Sequence, residues 1–408
     1  MERVDVAVIG GGQAGLALSH DLTERDIEHI VLERGRVGES WRGRWDTFCL
    51  VTPNWTVQLP DMPYDGPDPG GYMPRDDIVA YLERYARNAR APVREGVDVA
   101  SVRKLDDGFA LDTSSGELRA RAVVCASGAY QRPHRPAGAG GIPAGLLQID
   151  VTAFRNEREL PPGRVLIVGS GQSGCQIAEE LHEAGREVFM ACGRAPWAPR
   201  RLGGRDIVWW VVESGFFDAP VGSLPDPSAR LWANVLATGH GGGHDLHLRT
   251  LQAMGVTLLG HFLGAEHGVA LFADDLPATI AWGDERYAQL MGLFRKTAAE
   301  RGMEDPEIPE PGPLDTSSPE RLDLTGFGVV IFAGGFRPDY GSLIPWPEAF
   351  DDAGFPLQQD GASTVVPGLY FIGVHFLRKR KSSLLYGIGE DAGIVAAAID
   401  DRFRAGAP

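Results

Sequence analysis

Lysine is nearly missing from this chain of 408 residues: Lys104, Lys296, Lys379 and Lys381 are the only four. Positive charge as a whole is scarce, with 39 basic residues against 55 acidic ones, so the net charge is −16. That balance argues against nucleic acid or an anionic membrane as a main partner, while leaving room for a basic pocket that takes a small anion. Cysteine is scarce too. Cys49, Cys125, Cys175 and Cys192 are scattered, with no CxxC pair and no metal-ligand spacing, which argues against a redox dithiol. The histidines at 240, 244, 247, 261 and 267 lack the carboxylate–histidine pattern that would complete a site, so no metal is expected. Long apolar runs are absent; "IVWWVV" at 207–212 is far too short to cross a bilayer. Residues 4–9 read as a strand, leaving no room for a secretory apolar stretch, and reduced thiols fit a cytoplasmic protein.

Glycine, by contrast, is abundant and patterned. The opening "VDVAVIGGGQAGLALSHDLTERDIEHIVLERG" gives a buried strand, then Gly10, Gly12 and Gly15 in G-x-G-x-x-G spacing. A helix from Gln13 and Ala14 to about Arg25 follows, then a second strand at 28–32. The first glycine allows a tight turn, the second lets backbone approach a pyrophosphate, and the third lets helix pack on strand. Glu33, followed by Arg34, stands where an acid accepts hydrogen bonds from a ribose diol. A near copy, "RVLIVGSGQSGCQIAEELHEAGREVFMACGR", begins at Arg164, with Gly169, Gly171, Gln172, Ser173 and Gly174 in the same places. In the ungapped overlay Cys192 replaces Glu33, and Gly193 and Arg194 follow. An acid there repels a 2′-phosphate and a guanidinium attracts one, so the second unit, with Arg200 and Arg201 nearby, is expected to hold NADPH. NADPH delivering hydride to a flavin is the usual chemistry of such a pair, so the first unit is expected to hold FAD.

These features predict an α/β fold of two Rossmann-like dinucleotide-binding domains, with a mainly helical insertion in the second. The FAD domain is expected to be discontinuous, 1–160 with 331–408, and the NADPH domain to span 161–330 with its insertion at 207–320. A Trp-, Pro- and Gly-rich loop covers 37–77, a helix follows at 76–91, and short strands fall near 97–102 (including Val99, assigned to the FAD side), 109–112, 117–119 and 122–125. Residues 131–163 read as a linker.

The two fingerprints, together with "CASGAYQRPH", "FAGGFRPDY" and "GLYFIG", resemble class B flavoprotein monooxygenases: the flavin-containing monooxygenases, the YUCCA-type enzymes and their bacterial relatives. "RWDTFCLVTPNW" and "GYMPRDDIVAYL" carry the likeness to the bacterial YUCCA-like flavoproteins, over nearly the whole chain. The resemblance implies bound FAD, reduction by NADPH, and reaction with O2 through a C4a-(hydro)peroxyflavin. It further implies that Trp41 and Arg42 flank the flavin nucleotide, that Gly128 lies in the domain-linking motif, and that Gly373, Tyr386 and Gly387 approach the isoalloxazine. Two departures stand out. Asp150 replaces the family's histidine in "QIDVTAFRN", and Val51 replaces the asparagine of "NLPK", with Asn54 three residues on; Asp150 and Asn54 are therefore the catalytic candidates.

The basic run 378–381 reads as a solvated loop or as nucleotide contacts, against an anion-binding role. The functions open to the sequence are an NADPH- and O2-dependent monooxygenase of a small molecule (N- or S-oxygenation, Baeyer–Villiger insertion or oxidative decarboxylation), an NADPH-dependent flavin reductase or oxidase, and a non-catalytic redox sensor. A homodimer is compatible with all three.

Overall fold

The computed structural model describes residues 2–406. β1 (Glu2–Ile9) runs into α1 (Gln13–Thr23), which returns to β2 (His29–Glu33). The run "VAVI" in β1 is buried on both faces, as a central parallel strand requires. A short helix, α2 (Glu39–Arg42), and a longer one, α3 (Arg75–Asn88), follow. In α3 the buried residues Ile78, Val79, Leu82, Tyr85 and Ala86 recur at helical spacing and face the core.

The parallel part of the first sheet runs, in space, Leu369–Phe371, Gly116–Cys125, β1, β2 and Val93–Glu95. Val99–Leu105 and Gly108–Thr113 join it as an antiparallel meander. The strands expected at 117–119 and 122–125 are one strand, because Ala120 pairs with Val4 on one side and Phe109 on the other and carries the ladder through.

The second sheet is all parallel, in the order Leu147–Asp150, Phe327–Phe332, Arg164–Val168, Val188–Ala191, Thr257–Leu259. α4 (Gln172–Glu183) joins its third and fourth strands. Two segments move relative to the expected division. Residues 131–163 hold an edge strand of this sheet, and Phe327–Phe332, expected to straddle the boundary at 330, lies wholly inside it. The second unit therefore reaches outward at both ends. Both segments owe their place to pairing with each other, Gln148 opposite Val330, a long-range choice that composition does not encode.

The insertion carries α5 (Ile207–Glu213), α6 (Leu248–Met254), α7 (Leu276–Glu300) and several 3-10 turns. It also contains a three-stranded antiparallel sheet, Phe262–Glu266, Val269–Phe272 and Arg321–Asp323, whose first hairpin turns on His267 and Gly268 at φ of +51° and +81°. α8 (Ile388–Arg404) closes the chain and packs along α1 through Ala392, Val395, Ala396 and Ile399. Among the described residues no helix is long and apolar enough to cross a membrane.

Candidate functional site

In each sheet one central parallel strand, β1 or Arg164–Val168, ends at its carboxyl edge in a glycine loop opening a helix. Gly10 and Gly169 have φ of +118° and +114°, and a Cβ on either would lie 2.5 Å from a carbonyl oxygen, that of Ala126 or Ala333. A Cβ on Gly15 would lie 1.9 Å from Gly10 O, and one on Gly174 2.1 Å from Gly169 O. The protein itself demands these four. Gly12 and Gly171 are different. Their backbone is extended, with φ of −85° and −74°. A Cβ on Gly12 would meet nothing within 4 Å, and one on Gly171 would meet only Ala233 Cβ at 3.9 Å. The space beside them is free of protein, and α1 and α4 start there without a side-chain cap, so their first N–H groups face it. Both cradles fit the pyrophosphate of a dinucleotide.

The loops are fastened to the second strand of each unit in opposite ways. Glu33 is buried, and its carboxylate accepts from Gly11 N at 2.7 Å and Gly35 N at 2.8 Å. In the second unit Ser170 Oγ donates to Gly193 O at 2.9 Å and accepts from Gly193 N at 3.0 Å. No acid is needed there, and Arg194 beside it is exposed. The glutamines of the two fingerprints also act as struts. Gln13 accepts from Trp41 Nε1 at 2.9 Å and donates to Ser383 O at 3.2 Å. Gln172 holds Ala237 through both its amide and its carbonyl.

The remaining flagged positions divide. Gly373, at φ +70°, lies over the start of α1, where its Cβ would approach Ala14 Cβ to 2.6 Å. Gly387 opens α8 without a side-chain cap, packed on Lys381. Gly128, at φ +90°, accepts from Tyr340 Oη at 3.0 Å. These surround the carboxyl edge of the first sheet. Arg34 is exposed just beyond β2, Arg42 pairs with Glu83, and Val99 pairs with Thr113 in the meander. In the second unit Ser173 lies half-buried in the first turn of α4, and Arg201 is exposed in a small hairpin with Arg205 and Asp206.

Three expectations are corrected. Arg200 is buried and committed to the interior: it donates to Asp206 at 2.6 Å, to Tyr72 Oη at 2.9 Å and to Val51 O at 2.8 Å, so it pins the insertion to the 48–75 loop rather than reaching a 2′-phosphate. Burial and the Asp206 carboxylate push Tyr72 up to about 12, keeping it a hydrogen-bond donor. Asn54 is likewise buried and satisfied at both ends, donating to Asp68 O at 2.9 Å and accepting from Met73 N at 2.6 Å; it braces its own loop. Asp150 stands at the carboxyl edge of the second sheet, in register with Phe332 and Val168, but a bidentate pair with Arg135 at 2.7 and 2.9 Å holds it. Both catalytic candidates are engaged by protein groups, Asn54 by backbone at both ends and each oxygen of the half-buried Asp150 by Arg135.

Sequence reasoning passed over His375. It is buried two residues after Gly373, with Nδ1 3.3 Å from Ser383 Oγ and its ring beside Tyr130. Burial first, then the charges of Arg380 and Arg230, push its pKa down to about 4, so it is neutral at pH 7. Its one signal was its place after "FIG". His240 and His244, with ring centroids 6.3 Å apart, pair with Glu183 and Glu179.

Residues 7–209 match the pyridine nucleotide-disulphide oxidoreductase family. An uncharacterized oxidoreductase, CzcO-like, of Geobacillus kaustophilus is 32% identical over 391 residues, covering 95% of this chain and 96% of that protein. The chain belongs to the pyridine nucleotide-disulphide oxidoreductase family. It is also similar to indole-3-pyruvate monooxygenase YUCCA1 of Oryza sativa, at 29% identity over 45% of this chain and 46% of that one. The flavin-containing monooxygenase from Stenotrophomonas maltophilia superposes with a TM-score of 0.70 at 18% identity, over 99% of this chain and 100% of that chain. Within the family the chain is an oxidoreductase, and the resemblance and the α/β fold class read from the sequence are borne out.

Proposed function

We propose that this protein is an NADPH- and O2-dependent flavin monooxygenase of a small molecule, with FAD in the first cradle and NADPH in the second. The observation that carries the reading is the pair of glycines, Gly12 and Gly171, whose missing side chains nothing in the protein requires. Bound FAD supplies the redox chemistry, taking hydride from NADPH and activating O2.

The chain's own residues do the rest. The N-termini of α1 and α4 bind the pyrophosphates, and the lone pairs that Glu33 has left over take the ribose diol. Arg194 and Arg201 are exposed and free to meet a 2′-phosphate, the part that Arg200 cannot take. Gln13 sets the distance from α1 to Trp41 and to the Ser383 turn, which fixes the floor on which Gly373 and Gly387 would approach a flavin. The four cysteines are buried thiols, which suits a reducing cytoplasm.

The test is anaerobic titration of the purified yellow protein with NADPH and with NADH, followed by air. NADPH is expected to bleach the flavin much faster than NADH, and substrate-free reoxidation to release hydrogen peroxide slowly. Fast stoichiometric peroxide would identify an oxidase, and no bleaching a sensor.

A further inference from the structure

Much of the positive charge in this chain is answered by acid. In the basic run, expected as a solvated loop or as nucleotide contacts, Arg378 meets Asp360, Glu390 and Asp391, and Lys379 and Lys381 each meet Asp218 and Glu390. That run is an ion-pair clasp between the insertion and α8. Arg194 differs. It is exposed just past the strand Val188–Ala191, with no hydrogen bond or ion pair among the described residues. An open aromatic ring stands near it. Of the nine tryptophans, all among the described residues, Trp232 alone is exposed, at 48%.

Three contacts place this indole beside the second cradle. Trp197 and Leu236 form a parallel bridge, and Gly193 and Trp232 each lie four residues upstream of it, which brings the two abreast. Ala233, next in the chain, is the one residue that a Cβ on Gly171 would approach, at 3.9 Å. On the third side α7 presses in at Gly283, where a Cβ would lie 3.3 Å from Ala195 O, and Trp282 just before it meets Trp232 edge to face at 6.3 Å. Arg286 lies over the Trp282 ring at 5.2 Å and is itself held by Glu285 and Gln289, so Trp282 is a fixed wall.

The segment that carries Trp232 is tied at both ends. Before it, Arg230 lies over the Phe355 ring at 4.8 Å, with Asp351 3.9 Å away; after it, Gln172 of α4 holds Ala237. The ring is therefore positioned before any ligand arrives. Open space beside Gly171, an unpaired guanidinium past the second strand and an uncovered indole between them answer to three parts of one molecule: a pyrophosphate, a phosphorylated ribose and a purine.

We propose that Trp232 is the platform on which the adenine of the dinucleotide in the second cradle stacks, with Trp282 bracing its ring and Arg194 taking the phosphate on the adenosine ribose. The inference rests on the NADPH reading of that cradle and adds a recognition element that the insertion supplies from outside the parallel sheet. Stacking of a base on an aromatic side chain is worth roughly five- to a hundredfold in affinity.

The experiment titrates adenosine 2′,5′-bisphosphate, which has the purine and the 2′-phosphate but no nicotinamide, and 5′-AMP, which lacks the 2′-phosphate, into the FAD-loaded full chain by calorimetry. The proteins are wild type, Trp232→Ala, Trp232→Phe and Arg194→Gln. Trp232→Ala is expected to weaken both nucleotides by the same factor, roughly tenfold or more, and Trp232→Phe to weaken them less. Arg194→Gln is expected to weaken the bisphosphate alone. Stacking also quenches indole emission, so the bisphosphate should dim wild type more than Trp232→Phe. A Trp232→Ala that binds the bisphosphate as wild type does, or a quench that persists whole in Trp232→Phe, overturns the proposal. So does a Trp232→Ala that keeps its nucleotide affinity and changes the sedimentation of the chain, which would give the indole to a second copy. Should Trp232→Ala fail to fold by circular dichroism, Trp232→Phe and the quench still decide. A wild type that binds neither nucleotide sinks the NADPH reading and the proposal with it; one that binds both and is indifferent to Trp232 sinks the proposal alone.

Discussion

The two glycine cradles share a backbone and differ in what ties the loop to its sheet. In the first, a side chain from the strand, Glu33, reaches the loop; in the second, a side chain from the loop, Ser170, reaches the strand. Both give the glycine loop a fixed distance from the second strand. Only the first leaves a carboxylate at the end of the second strand; in the second, exposed Arg194 stands there with no acid beside it. Reversing the direction of one hydrogen bond thus permits opposite nucleotide preferences on the same scaffold.

The sharpest way to break this comparison is to fill the glycines. Gly15→Ala or Gly174→Ala places a methyl about 2 Å from a carbonyl oxygen, and either is expected to destabilise the fold by about 3 kcal/mol or more, read as a fall in Tm. Gly12→Val and Gly171→Val meet open space. Both are expected to fold, the first losing FAD and the second losing NADPH binding, each by roughly a hundredfold or more. Loss of folding in Gly12→Val would show that the open space matters to the chain itself.

Acid should attack both halves in the same window. His375, near the first cradle, and His247, which caps α6 in the insertion, are both pushed down to about 4, chiefly by burial. The unfolded chain binds these protons near pH 6.5, the folded one only near pH 4. Stability is therefore full above pH 6.5 and falls as pH drops toward 4, by about 3 kcal/mol per histidine at pH 4. His247→Asn keeps a capping side chain and should flatten the slope of urea-derived stability between pH 6.5 and 4. An unchanged slope would mean that His247 is not held neutral.

Arg194→Glu is expected to lower the NADPH-to-NADH ratio of kcat/KM by roughly ten- to a hundredfold, the worth of one charge-assisted phosphate contact. A ratio that stays put would move the 2′-phosphate to Arg201 or elsewhere.

The glycine fingerprints were legible because each is local: strand, turn and helix follow in sequence, and Gly15 and Gly174 meet a carbonyl five residues back, although Gly10 and Gly169 meet Ala126 and Ala333 on a distant strand end. What failed was non-local. Asn54 reads as a reactive amide until its partners, 14 and 19 residues away, are seen to be backbone groups of its own loop. Arg200 belongs to a basic cluster in sequence but meets Tyr72 and Val51 across the unit boundary. The strand Phe327–Phe332 carries the pattern of any buried strand, and only its pairing shows which sheet it serves.

The smallest expected effect tests the tie itself. Ser170→Ala removes one hydroxyl that both donates to and accepts from Gly193. Ser170 is buried, but the Gly193 groups it frees are half-buried and can turn to water, so the lost pair of hydrogen bonds should cost about 1 kcal/mol of stability. If the tie sets the loop's distance from the strand, NADPH affinity should fall more than stability does, because the N–H groups of α4 lose their fixed aim at the pyrophosphate. Ser170→Thr, which keeps the hydroxyl, should restore both. Equal losses in stability and affinity, unrescued by threonine, would reduce the serine to ordinary packing and remove the reason why the second unit can do without an acid.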